Sequence, residues 1–597
     1  MAYPVFAPGD TWYRGTTPKG EISAILFLDI STTKNPVEQW NGDIDDNGAI
    51  LCKLFKSGYI DNSGNFVENP YYTLEISGNG SGKISLNENS KGMFSDYEKW
   101  TDYFVNLVGI NQTNILDFSL VKDMSYFFYG CEKLKVINVS DWDMSNVQNI
   151  AAMFCDCSSL ETIDISNWNV ENMTDFWHLF DGCSSLTEVD LSKWKLSKGR
   201  AYSLKGMFIE CSSLTSFGDC SEWDIECKSM YMMFFDCAKL KEISLGKITF
   251  NTIYDSEFQH VFNGCTNLET VKSRGITFNL NMRLVALFQG CSKLKNLDMN
   301  IDFSKVTDIS FMLYGCTGLK EIDVSDWDVS NVTNFDHFAA HANLKRKGIE
   351  KWNTSSAINM NAMFHNCAEE ELDLSGYDVS NVKYFSQMFE NSPNLKRIKG
   401  LEKWDTSSGV GFDEMFGRCR KLEEVDLSSF DTSKAKNGEK ASTNGHTTNT
   451  FSNIFQECNN LKKITLGPKF SINGDGTNTS ATKKLTFPTP SATYIQEADG
   501  NWYDIEGNSY APDGMLDKTA KTYYAVLSEA FDSDTVPVMV NRGSLTKVAH
   551  ALRKKTGKTG KMKLNSFSEE IDSFEGEMLI LDDNTTIEAE TLIIGGV

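Results

Sequence analysis

Three residue types recur in this chain at spacings that could do chemistry: cysteine, aspartate and tryptophan. Cys131, Cys157, Cys183, Cys211, Cys237, Cys265, Cys291 and Cys316 follow one another at intervals of 26, 26, 28, 26, 28, 26 and 25, and Cys367, Cys419 and Cys458 continue the series after gaps. Thiols can pair as disulfides or hold zinc. One cysteine per interval is a register rather than a set of pairs, however, and His341 and Ser392 stand in it at Phe338-Ala-Ala-His341 and Phe389-Glu-Asn-Ser392. A position that accepts His or Ser is no obligate ligand, so the thiols read as small buried hydrophobes.

The aspartates Asp164, Asp190, Asp298, Asp323, Asp373 and Asp426 share one place in the repeat, filled by Asn138, Ser244 and Thr465 elsewhere. A glycosidase needs two carboxylates in different environments, whereas a repeat gives each nearly the same one. Stacked carboxylates repel and call for Ser or Thr donors, Lys, water or cations. Local hydrogen bonding is the plain reading of this ladder; a binding face for a glycan or a basic protein surface is the functional one. Trp142, Trp168, Trp194 and Trp327 suggest sugar stacking, but their place after the strand favours core filling. Seven histidines are scattered, with no H-E-x-x-H, C-x-x-C or G-x-S-x-G. Asp43-Ile-Asp45-Asp-Asn47-Gly48 begins like a calcium loop, yet Leu54 holds the position that needs a bidentate Glu. GKTGK at 557 to 561 lacks the first glycine of a phosphate loop, since Leu552 stands there. No catalytic residue, metal ligand or cofactor is expected, and the chain reads as no enzyme.

The elements that must position these residues follow from the repeat. Aligned on the cysteine, each unit reads M-F-x-x-C-x-x-L-x-x-I-D-L-S-x-W-D-V-S-N-V-x-x-M, with thirteen units from Phe128 to Phe455. Leu160, Ile163, Ile165 and Trp168 keep L-x-x-L-x-L-x-x-N spacing with Trp at the Asn position. Ile163 and Ile165 then face inward and Asp164 outward, as period two requires. Asp143, Ser145 and Asn146 offer side-chain caps for a helix, and Val147, Ile150, Met153 and Phe154 lie on one helical face. The spacing predicts an α/β solenoid of strand-turn-helix coils with its parallel sheet on one face. Thirteen such coils would make a curved rod of roughly 60 Å.

The pattern resembles the BspA-like leucine-rich repeats, the 26-residue bacterial-surface-protein repeat of mycoplasma lipoproteins, bacterial adhesins and some bacteriophage virion proteins. The resemblance covers roughly residues 91 to 467 and implies a binding scaffold with no specified ligand. The unit at Cys367 departs from it, with Glu370 in place of Leu and an early strand at Leu372 to Leu374, and residues 433 to 450 form a polar insertion expected to be a loop.

The flanks give four expected domains: an N-terminal β cap at 1–90, the solenoid at 91–467, a β-rich C-terminal cap at 468–543, and a small attachment or oligomerisation module of helical and β type at 544–597. Ser544, Leu545, Val548, Ala549, Ala551, Leu552, Arg553, Lys555, Thr556 and Gly557 are similar to a short module of tailed-phage structural proteins, and the stretch from FAPGDTWYRG to GNGSGKIS resembles a leader of phage-encoded repeat proteins. The formal charge of −24 argues against nucleic acid or an anionic membrane as partner. No signal peptide or apolar run long enough to span a membrane is read at the start or elsewhere. These resemblances imply a structural protein of a bacteriophage virion, assembled in the host cytoplasm. It would be a tail or fibre component whose repeat surface meets a host protein or glycan and whose C-terminal module meets other virion proteins or further copies. Capsid decoration and a bacterial cell-surface adhesin are the alternatives.

Overall fold

Along the segment that reads as a helix, the backbone N–H groups alternate between two destinations. Phe127, Tyr129 and Cys131 donate three residues back within their own coil, to the carbonyls of Met124, Tyr126 and Phe128 at 3.3, 3.1 and 3.1 Å. The intervening Tyr126, Phe128 and Gly130 donate to Ala151, Met153 and Cys155 of the next coil, at 2.9, 2.8 and 2.9 Å. Two residues per coil, four apart, have left-handed φ: Tyr126 and Gly130, Ala152 and Asp156, His178 and Gly182, Gly206 and Glu210, Met232 and Asp236, His260 and Gly264. An α-helix requires right-handed φ throughout and closes its N–H groups internally. The strand-turn-helix coil is therefore corrected to a strand followed by a run of turns. Among the described residues there is no α-helix, only short 3₁₀ turns such as Phe303–Lys305. The reason is competition for donors: a helix would consume the N–H groups that the turns send to the neighbouring coil. Each left-handed non-glycine residue costs about 1–2 kcal/mol, and hydrogen bonds worth about 0.5–1.5 kcal/mol apiece offset it.

The computed structural model describes residues 7, 12–28, 31, 36–42, 50–60, 66–95, 104–196, 198–435, 453–470, 487–505, 507–512 and 521–526. The chain forms two units, Met1–Ala368 with Gly376–Val382, and Glu369–Ser375 with Lys383–Val597. Each is considered by itself. The calcium-like stretch at 43–49, most of the polar insertion and the module at 544–597 lie outside the described residues.

The first unit begins with a mixed five-stranded sheet built from Ile22–Leu28, Glu38–Asn41, Leu51–Ile60, Phe66–Ser77 and Gly109–Asn111. Beneath it Trp12 is fully buried, donates its indole N–H to the Met93 carbonyl at 2.8 Å and meets Phe94 edge-on. The strand Ile22–Leu28 pairs in parallel with Gly109–Asn111, and Gly109 bridges in turn to Val136 and Val136 to Thr162, which hands the register to the repeat. Further along, Ala201–Ser203, Cys220–Ser229, Glu242–Phe250, Thr270–Phe278 and Asn296–Ile301 form a parallel sheet in sequence order.

The core of the coils is a column of rings. Phe128, Phe154, Phe180, Phe208, Phe234, Phe262 and Phe288 stack with centroids 5.2 to 5.8 Å apart. Beside it successive repeat thiols donate to the carbonyl of the Phe in the preceding coil: Cys157 to Phe128 at 3.2 Å, Cys183 to Phe154 and Cys211 to Phe180 at 3.1 Å. That carbonyl also accepts the N–H of its own turn, so one oxygen ties two coils together. All fifteen cysteines are buried.

In the second unit the same packing runs through Phe389, Phe416, Phe455 and Phe487. Its sheet takes Glu424–Leu427 and Lys463–Leu466 in parallel, then adds Lys521–Tyr524 antiparallel, followed by Trp502–Tyr503 and Ser509–Tyr510. Reversing direction in this way ends the parallel stack with a different edge.

Candidate functional site

The aspartate ladder is occupied locally. Ser166 donates its backbone N–H to Asp164 at 3.1 Å, and the same turn recurs from Ser192 to Asp190, Ser325 to Asp323, Ser375 to Asp373 and Ser428 to Asp426. The Ser192 and Ser375 hydrogen bonds hold the Asp190 and Asp373 carboxyls below the usual range. For Asp323 the Lys347 ammonium, 2.7 Å away, does so first and Ser325 second. The column is also not purely acidic. In the strand register Lys272 lies between Ser244 and Asp298, Lys347 pairs with Asp323, and Lys399 with Asp373. Repulsion between like charges, expected from the sequence, is thus relieved by lysines in the same column.

The tryptophans point into the coils. Trp142, Trp168 and Trp194 are buried, and the indoles of Trp168 and Trp194 donate to the Val139 and Ile165 carbonyls one coil back, at 3.0 and 3.2 Å. Trp327 is half-buried and stacks on Phe303 at 4.2 Å. The caps expected from Asp143 and Asn146 serve other ends. Asp143 accepts from the N–H of Ser145 at 3.1 Å, while Asn146 reaches the Ser119 carbonyl of the preceding coil at 2.9 Å.

Histidines scattered in sequence converge on the turn side of the coils. His337 stacks on Phe311 at 4.9 Å with its Nδ1 2.7 Å from Asp336 Oδ1, and the His341 and His365 rings lie 4.4 Å apart. Burial, then the charge of His337, lowers the His341 pKa. Among the described residues no group of three or more His, Cys, Asp or Glu is placed to hold a metal ion, and no helix is long and apolar enough to cross a membrane.

A different place exposes unused chemistry. In the two coils that end their strands at Phe250 and Phe278, the Trp-Asp-x-Ser-Asn turn is missing and the sequence reads FNTIYDS and FNLNMR instead. Phe250, Phe258 and Phe278 fill the space in a triad with centroids 4.9 to 5.9 Å apart, all buried. The loops that follow project outward. Asn251 is anchored by its N–H to the Cys227 carbonyl at 2.9 Å and by its amide to Glu226 at 3.1 Å. Asn279 N–H bonds the Phe250 carbonyl at 3.2 Å, and Arg283 N–H bonds that of Asp255 at 2.8 Å. Between them lies an open groove of about 520 Å³ lined by Ile253, Tyr254, Asp255, Asn279, Leu280, Asn281 and Lys305. Ile253 is 81%, Tyr254 62% and Leu280 51% exposed. Lys305 closes one side from the 3₁₀ turn Phe303–Lys305, whose start is capped by Asp302 accepting from Ser304 at 3.0 Å. Sequence reasoning missed this groove because it followed what repeats. The signal was the loss of both the Trp and the Asp-x-Ser step of the turn in these two successive coils.

The family model described as Mycoplasma protein of unknown function, DUF285, matches residues 88–216, 188–274, 281–399 and 369–465. No curated protein matches the chain. Among solved structures, a leucine rich cell surface protein of Faecalibacterium prausnitzii A2-165 is 17% identical, with 62% of this chain and 95% of that one covered and a TM-score of 0.23. An LRR protein of Leptospira interrogans is 12% identical, with 59% and 84% covered and a TM-score of 0.17. At these scores neither likeness carries an argument about this chain.

Proposed function

Because the chain belongs to the DUF285 family, through a match that takes in most of its stacked coils, we propose that it is a non-catalytic recognition scaffold whose coils hold one groove toward a partner at a cell surface. The observation that carries this reading is the contrast between two kinds of surface. Five of the six aspartates of the repeat face, Asp164, Asp190, Asp323, Asp373 and Asp426, accept a backbone N–H of their own turn, and Asp323 a lysine as well, whereas Ile253, Tyr254 and Leu280 stand exposed together on loops pinned from below. Exposed apolar side chains gathered in one concave place are the usual mark of a binding site. The test is adhesion of labelled full-length protein to bacterial cells. Ile253→Ser with Leu280→Ser abolishes adhesion, and Asp164→Asn with Asp190→Asn leaves it intact. Equal adhesion by all three proteins refutes the reading.

The scaffold belongs, in this proposal, to a bacteriophage tail or fibre, supported by the similarity of Ser544 to Gly557 to modules of tailed-phage proteins. Immunogold labelling of particles with antibody against residues 91–467 decides it. Label at a tail tip or fibre agrees; label on the capsid alone means decoration, and label confined to bacterial cells means an adhesin.

A further inference from the structure

We infer that the groove takes a neutral saccharide, with one sugar ring laid against Tyr254 and its hydroxyls bonded by Asn279, Asn281 and Asp255. The inference rests on the recognition reading above and names the partner's chemistry.

Size comes first. A groove of about 520 Å³ matches the few hundred cubic ångströms of a small-molecule site, whereas a stable protein interface needs about 800 Å² from each partner. Three exposed apolar side chains on two short loops cannot supply that area. Composition comes second. Four of the seven lining residues are polar: Asp255 follows Ile253 and Tyr254 on one loop, Asn279 and Asn281 flank Leu280 on the other, and Lys305 comes from the neighbouring 3₁₀ turn. A purely apolar ligand would leave those groups unused, whereas a ligand with its own donors and acceptors can bond them. A sugar ring presents an apolar C–H face and a rim of hydroxyls that both donate and accept. Such a rim suits Asn side chains, which carry both functions in one amide, and its C–H face suits an exposed tyrosine ring.

Charge comes third. One carboxylate and one ammonium line the groove and offset one another, so neither a strongly anionic nor a strongly cationic ligand is favoured. Rigidity supports the same conclusion. The loops leave the buried Phe triad at Asn251 and Asn279 and are tied by the backbone bonds of Asn251, Asn279 and Arg283. Little ordering cost is then left for the ligand to overcome.

The experiment uses the full chain on a printed array of neutral and acidic glycans, followed by saturation-transfer NMR with chitotriose, maltotriose and lactose as soluble probes. Binding restricted to neutral glycans is expected. Tyr254→Ala should lose it at least tenfold, Tyr254→Phe should keep it within about threefold, and Asn281→Ala should weaken it, while Asp164→Asn, outside the groove, changes it little. No array glycan retained, or equal retention by Tyr254→Ala, overturns the inference. Adhesion to periodate-oxidised cells separates the two levels. If it persists and still depends on Leu280, the partner is a protein and the saccharide inference fails while the recognition reading stands; if adhesion never depended on the groove, the recognition reading fails first.

Discussion

Replacing Glu210 by glycine should stabilise the protein. Glu210 is exposed, has φ of 55°, and takes the second left-handed position of its coil. Gly130, Gly182, Gly264, Gly290 and Gly315 hold the same place elsewhere. A left-handed φ costs an L-residue about 1–2 kcal/mol, and glycine's greater freedom in the unfolded chain takes back about 0.4–1 kcal/mol. The net gain is therefore about 0.5–1 kcal/mol. Were the segment a helix, the same change would lose about 1 kcal/mol, so the sign separates the two backbones. Urea unfolding followed by tryptophan fluorescence measures the midpoint, and native-state hydrogen exchange at Glu210, which donates to the Phe235 carbonyl, reports the local effect. The converse change, Gly182→Ala, should destabilise, because φ is +73° and the new Cβ would lie 2.6 Å from Asp156 Oδ1. A lowered midpoint for Glu210→Gly refutes the turn backbone as the source of stacking.

Other perturbations test the core and the charges. Phe180→Ala removes a fully buried ring stacked at 5.5 and 5.6 Å on both sides and should cost about 3–5 kcal/mol, with exchange protection lost mainly in the adjoining coils. The Cys316 and Cys458 thiols are pushed up to about 12 by burial, so on the order of 10⁻⁴ of each is thiolate at pH 8. Alkylation of the repeat cysteines should await unfolding, and rapid labelling of the native chain would contradict their burial. Glu390 in the second unit is raised to about 7 by burial first, then by Glu414, and is opposed by Arg418, with which it forms an ion pair. Its folded state holds a proton that the unfolded state releases near 4.5, so stability falls as pH rises from about 4.5 to 7. Glu390→Gln should flatten that slope in midpoints measured across this range; an unchanged slope would show that Glu390 does not titrate there.

The sequence announced the coil but misjudged its backbone. The cysteine register, the inward Ile163 and Ile165 and the buried Trp168 follow from period and side-chain type, which one chain displays fully. Val147, Ile150, Met153 and Phe154 misled because i, i+3 and i+7 positions also come to one side in successive turns with three-residue hydrogen bonds. What separates the alternatives is where the N–H groups go, and that depends on the neighbouring coil rather than on local propensity. His178 and Met232, with left-handed φ, carry no sequence mark of that conformation. The aspartates were legible as outward-facing, as was a need for lysines with them; which lysines, Lys272, Lys347 and Lys399, came into view only through the pairing register. The groove was written in an absence, the missing Trp turn after Phe250 and Phe278, which a search for conforming units passes over.

The alternation of N–H donors has a consequence for how such a chain changes over generations. Since neighbouring coils are joined by main-chain groups and by a thiol and a ring that recur in most units, a coil carries its own adhesive and asks little of the identity of the next. Whole coils can then be duplicated, lost or exchanged by recombination between similar stretches of gene, with the ring column closing over the junction. The two coils that end their strands at Phe250 and Phe278 form a cassette in this sense. Transplanted into a sister chain they would bring their groove with them, and recognition could be renewed by shuffling units while the stack that displays them stays the same.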